Sequence, residues 1–394
     1  MEWIPYTQFT NIKEIARGGF GIIYQATWLD GSINKLSNVR RRRDHEIVIL
    51  KRFINSHNIN KYFLNELKSN QYCYQINHHI IRTYGFTKDP KLNDYILVMQ
   101  YAPGGDLHNY LQKNFTEITW NKQKLSILWQ ISEGLETIHN SGFIHRDFHS
   151  GNIFSSLLNG KRYQWQIGDL GLSQPTNNTS PNNEIYGVIP YIAPEIFKGF
   201  SFSKESDVYS MGMIMWELTT GCKPFANVEH DIILIFKILD GERPKITEDT
   251  PECYTILMKS CWDSDLKKRP SITEIRKTVA KWFFKNKHIE PFIQAENKRK
   301  ELINLEKLGP EFSEKFHPKA IFTSRLLTSY ISKCSSINSS KDYTSIELKL
   351  DIDIGRSIVL GTKRTIEESY IDSNENDSNA CIKLEKPETR KIFE

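Results

Sequence analysis

The chain has 394 residues, 39% of them hydrophobic, enough for a substantial core and for two or three domains as a first expectation. Its 52 basic and 47 acidic residues leave a net charge of +5, a near balance that argues against a nucleic-acid partner. The six cysteines form no CxxC pair or zinc spacing, the opening Met1-Glu2-Trp3-Ile4-Pro5 lacks a secretory pattern, and the apolar run Ile232–Leu239 is too short for a membrane span. The expectation is a protein with free thiols in the reducing cytoplasm, without a membrane partner.

In chain order, Ile22, Tyr24, Ala26 and Trp28 fall on one face of a strand, with Ile23, Gln25 and Thr27 on the other. Residues 30–46 are polar and read as a solvated loop, with a nuclear address at the arginines of 40–43 as the weaker alternative. Residues 61–73 read as a helix carrying Glu66, followed by strands at 80–86 and 95–101. Pro103-Gly104-Gly105 breaks the chain before a short helix at 106–112. Residues 122–139 form an amphipathic helix, with Leu125, Leu128, Ile131, Leu135 and Ile138 at helical spacing and Gly142 as its stop. A hairpin is expected over 153–167, with Asn159-Gly160 as a type I′ turn and Trp165 and Ile167 on one side.

Residues 205–220 are apolar on nearly every face, so that helix is central and its methionines are core filler. From about 286 the composition shifts. A charged helical stretch at 294–308 leads into a tail rich in Ser, Asn, Lys and Glu, expected to be disordered, with 346–350 as an isolated strand. The stretch 317–327 looks less random than its surroundings, and the sequence offers no physical account of it.

The chemistry concentrates at Phe143-Ile144-His145-Arg146-Asp147-Phe148-His149-Ser150-Gly151-Asn152. Phosphoryl transfer needs a carboxylate to hold the attacking hydroxyl and an oxygen ligand for Mg²⁺, and Asp147 and Asn152 provide both. Upstream lie the glycine-rich run Ile15-Ala16-Arg17-Gly18-Gly19-Phe20-Gly21-Ile22-Ile23-Tyr24 and Val48-Ile49-Leu50-Lys51; downstream lie Asp169-Leu170-Gly171 and Ala193-Pro194-Glu195. A lysine inside an apolar strand is costly unless paired, and Glu66 on the next helix is its natural partner.

These motifs, in this order, resemble the protein kinase family over residues 9–284. Ser206-Asp207-Val208-Tyr209-Ser210 and Cys261-Trp262-Asp263 lean toward its tyrosine-kinase-like serine/threonine group. The resemblance implies an α+β, two-lobed fold. A small, mostly β lobe would span about 9–99 and a larger, mostly α lobe about 103–284, with 285–394 as a charged helical extension and tail. It implies that ATP binds in the cleft, with Mg²⁺ or Mn²⁺, and that a protein serine, threonine or tyrosine hydroxyl is the acceptor.

It also implies the site residues. Lys51, oriented by Glu66, would contact the α- and β-phosphates, beneath a loop of Gly18, Gly19 and Gly21 flanked by Ile15 and Ile23. Ile49 and Phe154 would lie against adenine, Met99 would be gatekeeper, Gln100 and Ala102 would belong to the linker, and Asp106 would reach the ribose. Asp147 would accept, or at least orient, the hydroxyl proton, with positioning ahead of proton removal because an aspartate with a pKa of about 4 is a poor base. Asn152 and Asp169 would hold the metal. Glu195–Arg269 and Asp207 are expected to be structural, and His145 and Leu170 packing.

Arg146 would meet a phosphate placed by an upstream kinase on Ser173, Thr176, Thr179 or Ser180. His149 stands where a lysine and Val188 where a threonine is usual, which leaves the hydroxyl preference open. Ala16, Ile49, Phe154 and Asn70 also depart from the pattern and support an alternative: a pseudokinase that binds nucleotide or scaffolds.

Overall fold

A computed structural model describes residues 1–18, 21–34, 41–54, 56, 60–74, 78–158, 162–176, 184–285, 289–310 and 316–337. The first lobe comprises β1 (Glu2–Trp3), β2 (Phe9–Gly18), β3 (Gly21–Trp28), β4 (Ile33–Asn34), β5 (Arg41–Arg42), β6 (Glu46–Phe53), helix α1 (Lys61–Tyr74), β7 (Thr83–Lys88) and β8 (Tyr95–Gln100). One 6-stranded sheet runs β1-β7-β8-β6-β3-β2, antiparallel except where β1 runs beside β7. The expected alternation in β3 holds at Ile22, Ala26 and Trp28, which are buried, while Tyr24 of the same face is half-buried like Ile23, Gln25 and Thr27. One sheet face gathers Phe9, Trp28, Val48, Leu50 and Val98; the other gathers Phe53, Leu97 and Met99 against Phe63 of α1. Both faces are therefore covered, as a sheet rich in β-branched and aromatic residues requires.

Two expectations shift here. The loop at 30–46 contains a small ladder, β4 against β5, and Arg42 is taken up by Glu2 (3.0 Å) and the Trp28 ring (5.7 Å). The strand expected from 80 begins at 83, because Ile80 and Ile81 pair with Ile167 of the other lobe.

The second lobe contains α2 (Leu107–Asn114), α3 (Leu125–Asn140), β9 (Phe143–Ile144), β10 (Ile153–Leu158), β11 (Arg162–Ile167), β12 (Gln174–Pro175), β13 (Tyr186–Gly187), α4 (Pro194–Phe197), α5 (Lys204–Thr220), α6 (Ile232–Leu239), α7 (Glu252–Cys261), α8 (Ile272–Lys285), α9 (Ile289–Asn304), β14 (Arg325–Leu326) and α10 (Thr328–Ile337). Helix α5 is central, as expected: its whole length from Ser206 to Thr220 is buried. Ser203 caps its first turn, and Gly221, at φ +71°, ends it in a conformation that suits glycine. The hairpin of β10 and β11 forms, with Ile153 opposite Ile167; its Asn159-Gly160 turn lies outside the described residues.

Lys124 occupies a wide turn before α3, fully buried between the rings of Phe115 (4.8 Å) and Trp120 (4.6 Å). Burial pushes its ammonium down to about 8, against the pull of Asp249. In the unfolded chain the proton stays on until about pH 10.4. Between these values the unfolded chain binds more protons, so this group adds stability as pH rises through the window. Lys124→Met removes that slope. Melting curves should show wild type gaining on the variant from about pH 8 upward, with a constant difference at lower pH.

The expected boundary at 284/285 does not mark the end of the packed lobe. Phe292 and Ala295 of α9, then Leu327 and Ile331, enter the same core as α3 and α5. The stretch expected as a charged helical extension is packed against the lobe, and its Glu296 and Arg299 are buried and satisfy each other at 2.7 Å. Glu296 Oε2 also accepts the Trp120 backbone N–H at 3.1 Å. Residues 338–394, including the strand expected at 346–350, lie outside the described residues. Among the described residues, no helix is long and apolar enough to cross a membrane.

Candidate active site

Strand β6 holds Lys51 between Ile23 of β3 and Leu97 of β8, so its stem is fixed on both sides. Its Nζ lies 2.8 Å from Glu66 Oε2 and 2.6 Å from Asp169 Oδ1. Lys51 and Glu66 are buried, a costly arrangement unless the charges meet. Burial opposes the Lys51 ammonium, but Asp169 and then Glu66 outweigh it and raise its pKa above the usual lysine range. Asp169 is in the left-handed region at φ +54°, and its carboxylate also accepts Gly171 N–H at 3.4 Å. That turn aims the acid at the lysine instead of along the strand.

The loop after β9 is fixed from below by α5. Asp207 accepts the backbone N–H groups of His145 (2.8 Å) and Arg146 (2.9 Å), and meets His139 Nε2 at 2.9 Å. Arg146 has φ +71°, a conformation costing about 1–3 kcal/mol unless its surroundings impose it. The expected structural role of Asp207 is thus seen as geometry.

Asn152 Nδ2 donates to Asp147 O (2.9 Å) and Oδ2 (3.4 Å). These bonds commit the amide nitrogen to the loop and leave the Asn152 oxygen as the group for a cation. Gly151 N–H donates to His149 Nδ1 (3.1 Å), which leaves a ring proton on Nε2, 3.6 Å from Asp147 Oδ1. Burial works to raise the Asp147 carboxyl, but His149 and the hydrogen bonds from His149 and Ser324 hold it down at about 2. Asp169 and Asn152 present hard oxygens, a set that fits Mg²⁺ when nucleotide phosphates and water complete its shell.

The expected nucleotide residues gather in part. Gly18 and Gly21 face each other where β2 turns into β3, while Gly19 lies outside the described residues. A Cβ on Gly21 would stand 2.2 Å from Arg52 O, so glycine is required by close approach. Ile15 lies exposed on β2. Ile49, Ala102 and Phe154 pack with Met99 in one cluster, which brings the four proposed adenine neighbours together. Gln100 is drawn to β11, donating to Gln166 Oε1 at 2.8 Å. Asp106 caps α2, accepting from Asn109 N–H (2.9 Å) and Nδ2 (2.5 Å). Asn70, the expected apolar position, is buried and donates to Glu66 O at 2.9 Å.

Toward the acceptor side, Glu184 Oε2 joins Lys61 (2.5 Å) and Tyr62 (3.0 Å) of α1. Arg146 Nη1 donates to Gln174 Oε1 (2.9 Å) and its guanidinium lies over Phe202 (4.6 Å). Ser173, one of the expected phosphorylation positions, is buried and bonded to Ser69 and Leu170 O, both at 2.6 Å. Thr176 is exposed, while Thr179 and Ser180 lie outside the described residues. Glu195 and Arg269 form a buried two-pronged pair at 2.7 Å, as expected.

One site residue was missed. Ser324 Oγ donates to Asp147 Oδ2 at 2.5 Å. Val188, which stands where a threonine is usual in the resembled family, is buried among apolar side chains. The available signal was the apolar character of 317–327, which has no reason to persist in a solvated tail.

The sequence pattern of protein tyrosine and serine/threonine kinases matches residues 9–279. The chain is 31% identical over 284 residues to the Dictyostelium discoideum protein named "Probable serine/threonine-protein kinase pats1", covering 71% of this chain and 8% of that one. It is 30% identical over 285 residues to mitogen-activated protein kinase kinase kinase 7 of Homo sapiens, covering 71% and 42%. Stress-activated protein kinase alpha of Dictyostelium discoideum is 33% identical over 213 residues, covering 50% and 32%. The chain thus spans less than half the length of each of these relatives.

Proposed function

We propose, for a chain that belongs to the protein tyrosine and serine/threonine kinase family, that it transfers the γ-phosphoryl group of ATP to serine or threonine hydroxyls of proteins. The observation that carries this reading is Lys51, held between Glu66 and Asp169 at 2.8 and 2.6 Å. A buried lysine placed so is a preorganised cation for the phosphates, with no rearrangement needed at the moment of reaction. The name of one relative, "Probable serine/threonine-protein kinase pats1", supports serine or threonine as the acceptor.

The chain's residues divide the work. Ile49, Met99, Ala102 and Phe154 offer an apolar slot for the base, with Asp106 at its edge for the ribose. Gly18 and Gly21, at the turn from β2 to β3, would offer backbone N–H groups to the phosphates. Asp147, ionised throughout the physiological range, receives and aligns the acceptor hydroxyl. Asn152 and Asp169 would hold Mg²⁺, which supplies positive charge between the β- and γ-phosphates when bound. An upstream kinase acting on Thr176, Thr179 or Ser180 would place a phosphate near Arg146. The free thiols of Cys73, Cys222 and Cys261, all buried, suit a reducing cytoplasm.

The test is transfer of labelled phosphate from ATP to a generic protein, with phosphoamino-acid analysis, by wild type and Lys51→Met. Labelled serine or threonine from wild type is expected, with the variant slower by about 10²-fold or more. Equal silence from both folded proteins would move the assignment to a nucleotide-binding scaffold.

A further inference from the structure

Residues 316–332 lie against the helical lobe and reach Asp147. His317 N–H donates to Ala226 O (2.8 Å), and His230 N–H donates to Lys319 O (3.2 Å). Phe322 is gripped by the His230 ring at 4.7 Å and the Lys223 ammonium at 4.7 Å. Next comes Ser324 on Asp147, then β14, antiparallel to β13, with Arg325 opposite Gly187 and Leu326 opposite Tyr186. Arg325 donates to His230 O, Leu327 N–H donates to Ile185 O at 2.7 Å, and the fully buried Leu327 side chain anchors the far side.

A protein acceptor has three geometric needs: a hydroxyl at the catalytic carboxylate, an extended backbone held in register, and an anchor that fixes the depth. This segment meets all three within the chain. We propose that residues 316–332 are an internal substrate, and that Ser324 is phosphorylated by the active site of the same molecule. The proposal rests on the kinase reading above and names an acceptor for it. Among the described hydroxyls of the segment, Ser324 is the one bonded to Asp147; Thr328 Oγ1 accepts from Ile185 N–H, and Ser332 Oγ donates to Thr328 O.

In the step, Ser324 Oγ forms a bond to the γ-phosphorus and gives its proton to the Asp147 carboxylate, which passes it to solvent. The bond from that phosphorus to the β–γ bridging oxygen breaks, and its electron pair leaves with ADP. The phosphoserine then carries a charge of about −2 beside the Asp147 carboxylate, and this repulsion drives the segment off. Until then it excludes other proteins from the groove.

Full-length protein is incubated with ATP and Mg²⁺ over a wide dilution range, and phosphorylation is mapped and timed, with a generic peptide as second acceptor. Phosphate on Ser324, appearing with a rate constant independent of protein concentration and absent from Asp147→Asn, is expected. Leu327→Asp should slow Ser324 modification and lower the KM for the peptide several-fold without changing kcat. Arg325→Glu, whose side chain is only half-buried, serves the same purpose if Leu327→Asp does not fold. Labelled peptide with unmodified Ser324 overturns the proposal and spares the kinase reading, as does Ser324 modification whose rate constant grows with concentration. Absence of transfer to every acceptor, including by the undocked variants, overturns both.

Discussion

Asp147→Asn should transfer phosphate slower by about 10²- to 10⁴-fold while its KM for ATP stays close to wild type. The amide is nearly isosteric, so the loop held by Asp207 keeps its shape. What disappears is the negative charge that receives the acceptor proton and aligns its oxygen, an interaction that strengthens only as the reaction proceeds. Steady-state kinetics with ATP and peptide varied separately would check the split. A comparable rise in the KM for ATP would place Asp147 in nucleotide binding instead. The Asp147 pKa of about 2 lies below its ordinary value of 3.8, so the carboxylate stabilises the fold above pH 3.8 and loses that contribution as pH falls through about 2. The rate profile should therefore lack an acid limb from Asp147 near neutrality, and any limb at pH 5–7 belongs to another group.

Arg269→Met should destabilise the helical lobe by about 3–5 kcal/mol, because it strands the buried Glu195 carboxylate. The arginine also donates to Glu205 O and Asp263 O, each at 2.9 Å, and lies over the Tyr209 ring at 5.3 Å. Several partners are thus lost at once. Adding Glu195→Gln should recover part of the loss, since the stranded charge is gone, and the two effects should fall short of their sum. Chemical denaturation of wild type, both single variants and the double variant measures this. Glu195 lies in the first turn of α4, which follows β13 and residues 188–193. The single variant should accordingly raise the KM for peptide more than the KM for ATP.

The sequence made Lys51, Asp147, Asn152 and Asp169 legible because their chemistry forces short local patterns, each bound to a turn or strand that places it. Helix α5 was equally plain, since residues apolar on every face have no solvent-facing alternative. Less was legible where the partner is distant. Ile80 looked like strand because it is apolar, but its pairing with Ile167 of the other lobe leaves no trace in its neighbours. The charges of α9 marked it as an extension beyond the lobe, and only the fold shows Glu296 and Arg299 turned inward. Ser324 is 177 positions from Asp147, and no local rule links a tail serine to a carboxylate that far away.

Helix α1 touches both sides of the reaction. Glu66 holds the nucleotide lysine, while Lys61 and Tyr62, a little over one turn earlier, hold Glu184 near the acceptor strand. A rigid helix with one contact in its first turn and another just over a turn later cannot shift for one ligand without being felt by the other. If nucleotide draws α1 inward and tightens the acceptor side by some factor, an acceptor must tighten nucleotide binding by the same factor. Glu184→Ala would then weaken that thermodynamic link, with the Ser69–Ser173 and Tyr62–Tyr186 contacts of α1 left in place.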